Sequence, residues 1–517
     1  MSDSILVAEN LSIAFGEVRA LDGIDLTIGR GEIRCLAGEN GSGKSTFVKI
    51  ASGVYQPSEG SVTIDGTRLT HATPREAITA GVQVIYQDLS LFDHLSVAEN
   101  IAINVMLHEG TRYVRRARMR DIAAEQLDRM RESLPLDAPV GTLSVANKQL
   151  VAIARALSMD ARILFMDEPT TALTTTEVAR LLAIVRDLKE RGLSIVFISH
   201  KLDEVFQVAD SITIFRDGRK VGDFPAAELD AASLSYHMTG REIAHKPYRR
   251  QARPDDATAA PLLAVDHLTK EPHYRDVSLS VRAGDVIGLT GLLGAGRTEL
   301  ALSLFGLNRP ESGTLTVAGA QVRIDEPWDA IDLGIALLPE DRKAQGLFNA
   351  GTIAQNISST RLDTLLTRLR LVDGRAERRL ARETVEAVGV NNKNIDAIAG
   401  NLSGGNAQKV VIGKWMATSP TVFILDSPTI GIDVGSKSEI YDRIHALADA
   451  GMGVILISDE PEEIVANCNR VLVMHEGDVI ATFDEAERLD PDFTSRLAGV
   501  IADPASARAL AAPGASR

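Results

Sequence analysis

Cysteine is nearly absent: the 517 residues hold two, Cys35 and Cys468, far apart in unremarkable or apolar surroundings. That excludes a disulfide framework and a thiolate metal centre, and predicts two buried thiols in a reducing compartment. Long apolar runs are also missing. No stretch approaches the roughly 18 uninterrupted apolar residues that a membrane helix needs. The N-terminus, Met1-Ser2-Asp3-Ser4-Ile5, has no basic region leading into an apolar one, so neither an intrinsic membrane span nor a secretion signal is expected. Positive charge is in deficit as well. Fifty-five Lys and Arg against seventy Asp and Glu leave a net charge of −15, which argues against a nucleic-acid partner held through its phosphate backbone. What remains is an ordinary globular composition, 45% apolar, at a length suited to two to four domains.

The most informative stretch is Gly38-Glu39-Asn40-Gly41-Ser42-Gly43-Lys44-Ser45-Thr46, which fits the phosphate-loop pattern G-x-x-x-x-G-K-[ST]. A short apolar run, 32–37, precedes it, and 47–51 carries helical spacing, the strand-to-helix context this motif requires. The glycines let the backbone curl with its N–H groups inward, and the following helix adds the positive end of its dipole. Lys44 is then expected on the β and γ phosphates of a nucleotide, and Ser45 on Mg²⁺, which favours oxygen ligands.

A second glycine-rich loop, Gly291-Leu292-Leu293-Gly294-Ala295-Gly296-Arg297-Thr298, begins 253 residues after the first. Leu143-Ser144 with Leu402-Ser403, Asp167 with Asp426, and Ser199 with Ser458 repeat at a spacing of 259. The chain therefore reads as a tandem duplication with a net insertion of six residues between loop and signature. The expected organisation is a first domain over 1–245, a linker over 246–260 that mixes prolines, charges and alanines, a second domain over 261–502, and a poorly ordered tail over 503–517.

Within the first half, 81–86 reads as a strand that closes on Gln87, and 90–160 as mostly helical. The basic run 112–120 reads as a solvated helix face. Ile163-Leu164-Phe165-Met166 and Ser194-Ile195-Val196-Phe197-Ile198 are continuous apolar runs suited to strands buried on both faces, ending in Asp167-Glu168 and Ser199-His200. Alternating strands and helices give a parallel α/β sheet with its chemistry at the carboxyl edge. There Asp167 is placed to organise Mg²⁺, Glu168 to polarise an attacking water as general base, and His200 to touch the γ-phosphate.

The loop, Gln87, Leu402-Ser403-Gly404-Gly405, Asp167-Glu168-Pro169 and His200 together resemble the ATP-binding cassette ATPases, over nearly the whole chain. The two-cassette length and Leu337-Leu338-Pro339-Glu340-Asp341-Arg342-Lys343 resemble the ATPase subunit of ribose- and galactoside-type sugar importers. The resemblance implies tandem P-loop domains, each a mixed sheet core with helices plus a helical subdomain. It implies ATP and Mg²⁺ as cofactors, Phe15 stacked on adenine, and Gln87 linking the Mg²⁺ site to a membrane permease. It also implies separate transmembrane permease subunits, an extracytoplasmic sugar-binding protein, and a peripheral position on the cytoplasmic face of the membrane. Finally it implies a head-to-tail sandwich in which each nucleotide lies between one loop and the opposite signature, so Ser403, Gly404 and Gly405 face the first loop.

The departures from the family pattern are ordered. In the second half Arg297 replaces the lysine, Ser427 the Glu168 equivalent and Asp459 the His200 equivalent; in the first, Leu143-Ser144-Val145-Ala146-Asn147 replaces Leu-Ser-Gly-Gly. One competent site and one degenerate site, the latter including Gly291, Gly296, Arg297 and Thr298, are expected. The competing readings are a soluble tandem cassette acting on ribosomes or nucleic acid, which the short linker and damaged site oppose, and a nucleotide-gated regulatory subunit, which the intact set Lys44, Asp167, Glu168 and His200 opposes.

Overall fold

The computed structural model describes residues 4–16, 18–69, 73–110, 113, 115–170, 173–199, 201–241, 247–251, 259–432 and 434–503. It divides into two units, Met1–Ile243 with Asp433–Gly435, and Ala244–Ile432 with Ser436–Arg517. His200, 242–246, 252–258 and 504–517 lie outside the described residues, so the expected linker over 246–260 is described only at 247–251, 259 and 260.

In the first unit a six-stranded sheet runs Arg219–Pro225, Ser211–Arg216, Ile33–Ala37, Ser194–Ile198, Ile163–Asp167, Val82–Ile85. Five of these strands are parallel, and Arg219–Pro225 adds an antiparallel edge. The two continuous apolar runs are its central strands, buried along almost their whole length because helices cover one face and the antiparallel sheet, with helix Lys44–Ala51, covers the other. A second sheet is antiparallel, in the order Val18–Gly29, Ser4–Phe15, Glu59–Ile64, Thr67–Leu69. The helices Val97–His108, Arg116–Arg129 and Val145–Leu157 pack together as the helical part. The helix Arg116–Arg129 begins inside the basic run 112–120, of which 112 and 114 lie outside the described residues; on it Arg118 pairs with Glu109 and Arg120 with Asp137 at the surface, while Met119 is buried.

The second unit repeats this plan. Its six-stranded sheet runs Ile335–Leu338, Val422–Asp426, Gly453–Ile457, Val286–Gly291, Arg470–His475, Asp478–Phe483, with the antiparallel sheet and three-helix part in the same places along the chain. Part of the expected linker belongs to this unit's packing. Tyr248 is buried, stacks on His445 at 4.6 Å and donates from its hydroxyl to the Gly284 carbonyl at 3.0 Å. Arg250 pairs with Asp285 at 3.1 Å. Both cysteines are buried free thiols, and burial pushes the Cys35 thiol up to about 12.

Candidate nucleotide sites

The strand order brings four carboxyl ends side by side in the first unit. Ile33–Ala37 leads into the glycine loop; next come Ser194–Ile198, Ile163–Asp167 and Val82–Ile85, the last followed by Gln87. Parallel strands deliver their ends to one edge, so residues separated by more than a hundred positions meet there.

The loop turns directly into the helix Lys44–Ala51. Gly43 holds φ 105°, and a Cβ there would lie 2.5 Å from Leu21 Cδ2 and 2.7 Å from the Ala20 carbonyl oxygen, so only glycine fits. Gly38 and Gly41 also take positive φ, Ser42 is buried, and Asn40 is exposed at the loop's tip. Lys44 is 8% exposed, and its Nζ donates to the carbonyls of Gly38 at 2.7 Å and Glu39 at 2.8 Å, which aims the ammonium across the cradle. Thr46 follows on the helix, half-buried.

Ser45 Oγ lies 3.5 Å from Asp167 Oδ2. Burial, and then the neighbouring Glu168, raises the Asp167 carboxyl above its ordinary range, with Lys44 and Ser45 opposing. A hydroxyl beside a carboxylate that gains from a nearby cation suits Mg²⁺, which takes few protein oxygens and completes its shell with water and phosphate. Glu168 sits at φ 49°, a left-handed turn that a non-glycine residue seldom adopts. Its backbone N–H donates to the Ile198 carbonyl at 3.0 Å, and its carboxylate accepts from Gln87 Nε2 at 3.0 Å. The amide oxygen of Gln87 is thereby directed away from Glu168. Phe15 is 47% exposed at the end of its strand and meets the Tyr55 ring edge-on at 5.2 Å.

Glu204 is a residue that motif reading misses. Buried at 5% exposure, it accepts from Thr170 Oγ1 at 2.6 Å and Ser199 Oγ at 2.9 Å, tying the turn after Asp167-Glu168 to the turn that leads to position 200. The second unit copies the arrangement with Glu463, Thr429 and Ser458 at 2.8 Å each. The repeat spacing of 259, applied to every polar residue, would have found it. Glu204→Ala leaves two buried hydroxyls without their acceptor and should destabilise the chain by about 2–4 kcal/mol. Urea unfolding checks this, and an unchanged midpoint would remove Glu204 as the tie.

The edge of the second unit keeps the geometry and changes the chemistry. Thr298 Oγ1 donates to Asp426 Oδ2 at 2.8 Å. Ser427 occupies the same left-handed turn as Glu168, at φ 48°, and its N–H meets the Ile457 carbonyl at 3.0 Å. Arg297, 6% exposed, is ion-paired to Asp459 and donates to the carbonyl of Ser458 at 3.3 Å. Glu340, 253 residues after Gln87, stands after the matching strand. Burial pushes the Asp426 carboxyl up to about 6; the Thr298 hydroxyl opposes, Glu340 and Asp459 add repulsion and Arg297 relieves it. Above about pH 6 the fold therefore carries the cost of an ionised Asp426, while below about pH 4 the group is neutral in folded and unfolded chains alike. Asp426→Asn should stabilise the nucleotide-free chain by about 3 kcal/mol at pH 7.5 and by little at pH 4. Denaturant titrations at both pH values test it; an equal effect at the two would assign the gain to something other than charge.

The helix starts differ too. Ser403 is exposed ahead of Gly404–Met416, its Oγ accepting from Asn406 Nδ2 at 3.0 Å. A Cβ at Gly405 would stand 2.6 Å from Ser436 Oγ, so glycine is required there. Ser144 instead caps Val145–Leu157 by accepting from the Asn147 N–H at 3.3 Å, and Val145, 47% exposed, projects where Gly404 has no side chain.

The ABC transporter family profile matches residues 21–171 and 274–430, one match in each unit and each spanning a glycine loop and the following acid. The chain belongs to the ABC transporter family. A ribose import ATP-binding protein of Burkholderia cenocepacia is 42% identical over 490 residues, covering 95% of this chain and 96% of the relative. Another of that description, from Rubrobacter xylanophilus, is 43% identical over 488 residues, 94% and 93% of the two chains. A putative ribose/galactose/methyl galactoside import ATP-binding protein of Pseudomonas syringae is 40% identical over 483 residues, 93% and 91%. The tandem ATPase cassettes expected from the sequence are thus those of an ABC protein, and no helix among the described residues is long and apolar enough to cross a membrane.

Proposed function

We propose that this ABC ATPase hydrolyses ATP to drive import of a small sugar or polyol through separate transmembrane permease subunits, working from the cytoplasmic face of the membrane with an extracytoplasmic sugar-binding protein. The observation that carries the ATPase assignment is the alignment of the glycine loop, Asp167 and Glu168 at one sheet edge in the first unit. The printed descriptions of the relatives, matched end to end, support the sugar class.

Loop N–H groups, the helix N-terminus and Lys44 bind the β and γ phosphates. Ser45 and Asp167 would hold Mg²⁺, with the Gln87 amide oxygen beside them; when bound, it neutralises charge on the phosphate oxygens. Glu168, steadied by Gln87, accepts a proton from the attacking water. His200 supports the γ-phosphate and Phe15 stacks on the base. Ser403, Gly404 and Gly405 complete this site from the second half, while Arg297, Ser427 and Asp459 face Val145 and Ala146 in a degenerate one.

Because the permease organises closure of the halves, the isolated chain should bind Mg-ATP and turn it over slowly, with turnover rising when permease is added in membranes. Phosphate release with and without permease tests this. Equal and rapid rates in both would refute coupling.

A further inference from the structure

The second loop has lost the groups that hydrolysis needs, yet its backbone is that of a working cradle. Gly291 and Gly296 hold φ 149° and 94°, against 147° and 105° at Gly38 and Gly43. A Cβ on Gly296 would stand 2.2 Å from the His273 carbonyl oxygen, so the loop accepts nothing but glycine there. It runs into the helix Arg297–Leu304, whose N-cap makes no side-chain capping bond, leaving helix N–H groups directed at the loop's concavity. Thr298 keeps the hydroxyl that Ser45 supplies in the first unit, held on Asp426. The equipment for the inner phosphates is therefore present.

The far end of the cradle differs. In the first unit Lys44 donates to loop carbonyls, which are uncharged acceptors. In the second, the buried Arg297 guanidinium likewise donates to a loop carbonyl, that of Leu292 at 3.4 Å, and is in addition bound by the carboxylate of Asp459, which comes from the end of the strand Gly453–Ile457, the neighbour of the loop's own strand. An anion of this chain already occupies the cation that stands where Lys44 serves the β and γ phosphates. A terminal phosphate entering there must displace Asp459, whose side chain is 60% exposed at the mouth, and must then sit among Asp459, Asp426 and Glu340. A diphosphate, whose β-phosphate the loop N–H groups and Thr298 can hold, need not break the ion pair, and it brings no group to the place of Asp459. Discrimination of this kind works through a built-in repulsive element, not a better fit.

We propose that the second glycine loop is a nucleoside diphosphate site, from which the Arg297–Asp459 ion pair excludes the terminal phosphate of a triphosphate. This rests on the reading of the chain as a nucleotide-driven ATPase and assigns its second site a ligand class. That site holds ADP as a standing ligand while the first cycles through ATP.

The test uses the full chain carrying Lys44→Ala, which disables the first loop, and measures binding of radiolabelled Mg-ADP and Mg-ATP by equilibrium dialysis. Mg-ADP should bind at least about tenfold more tightly than Mg-ATP, a difference of about 1.4 kcal/mol. Adding Asp459→Asn, which keeps the shape and removes the charge of an exposed side chain, should bring the two within about threefold, whereas Asp459→Glu should keep the preference for ADP. Equal affinities in the Lys44→Ala chain, a ratio unmoved by Asp459→Asn, or no nucleotide bound at all would each overturn the proposal. Permease-coupled turnover of the unmutated chain is measured alongside. Its absence would sink the import reading and leave the ADP-to-ATP ratio standing.

Discussion

Glu168→Gln should lower permease-coupled ATP turnover by about 10²–10⁴-fold while leaving Mg-ATP binding within a few-fold of the unmutated chain. Glutamine fills the same space and keeps an oxygen that can accept from Gln87 Nε2, so the left-handed turn at 168 and the bond across to Gln87 survive. What disappears is the basic oxygen that takes the proton of the attacking water. Ser427→Ala, made at the matching turn of the second unit, should change turnover by less than about twofold, since the Ser427 hydroxyl, itself a donor to Asp426 at 3.5 Å, cannot take a proton from water as the Glu168 carboxylate does. Phosphate-release rates for the two variants, with binding followed separately, decide the matter. Comparable losses from both would mean that the first unit is not the one competent centre.

The second large effect concerns a residue 359 positions from Lys44. Ser403→Arg should stop hydrolysis nearly as completely as Lys44→Ala, because in the proposed head-to-tail pairing the arginine would thrust bulk and charge into the γ-phosphate position of the competent site. The substitution should leave folding largely unaffected. Ser403 is exposed, and its hydroxyl accepts from Asn406 instead of capping a backbone N–H. Ser144→Arg should leave substantial activity, since the site it covers already lacks a base. It removes the Asn147 cap, however, at a cost of about 1 kcal/mol, so rates must be compared at equal folded protein. If Ser144→Arg were dead and Ser403→Arg active, each half would be using its own signature and the crossed pairing would be abandoned.

Under the proposed head-to-tail pairing, degeneration in this chain would sort by composite site and not by domain. The first unit carries Lys44, Asp167 and Glu168 but a signature in which Val145 projects from the helix start; the second carries Ser403-Gly404-Gly405 but Arg297, Ser427 and Asp459. One pairing collects every intact part and the other every altered part. A diphosphate held permanently in the altered site would fit such a division of labour, as a structural ligand beside a cycling one.

Much of this was determined by the sequence alone. The glycine loop between a strand and a helix, the apolar runs ending in Asp167-Glu168 and Ser199-His200, and the repeat at 253 and 259 residues specified a tandem parallel α/β nucleotide-binding fold. These signals are local: glycine spacing, strand burial and an acid at a strand end depend on near neighbours in the chain, and the second copy checks the first. Only the tertiary structure decided which distant groups meet. That Ile33–Ala37 adjoins Ser194–Ile198, and this in turn Ile163–Asp167 and then Val82–Ile85, brings Gln87 onto Glu168 and Thr170 with Ser199 onto Glu204. The same order in the second unit lays Asp459 on Arg297, 162 residues away. No pattern along the chain encodes such pairings, because they follow from strand order and from the requirement that buried charges and hydroxyls find partners.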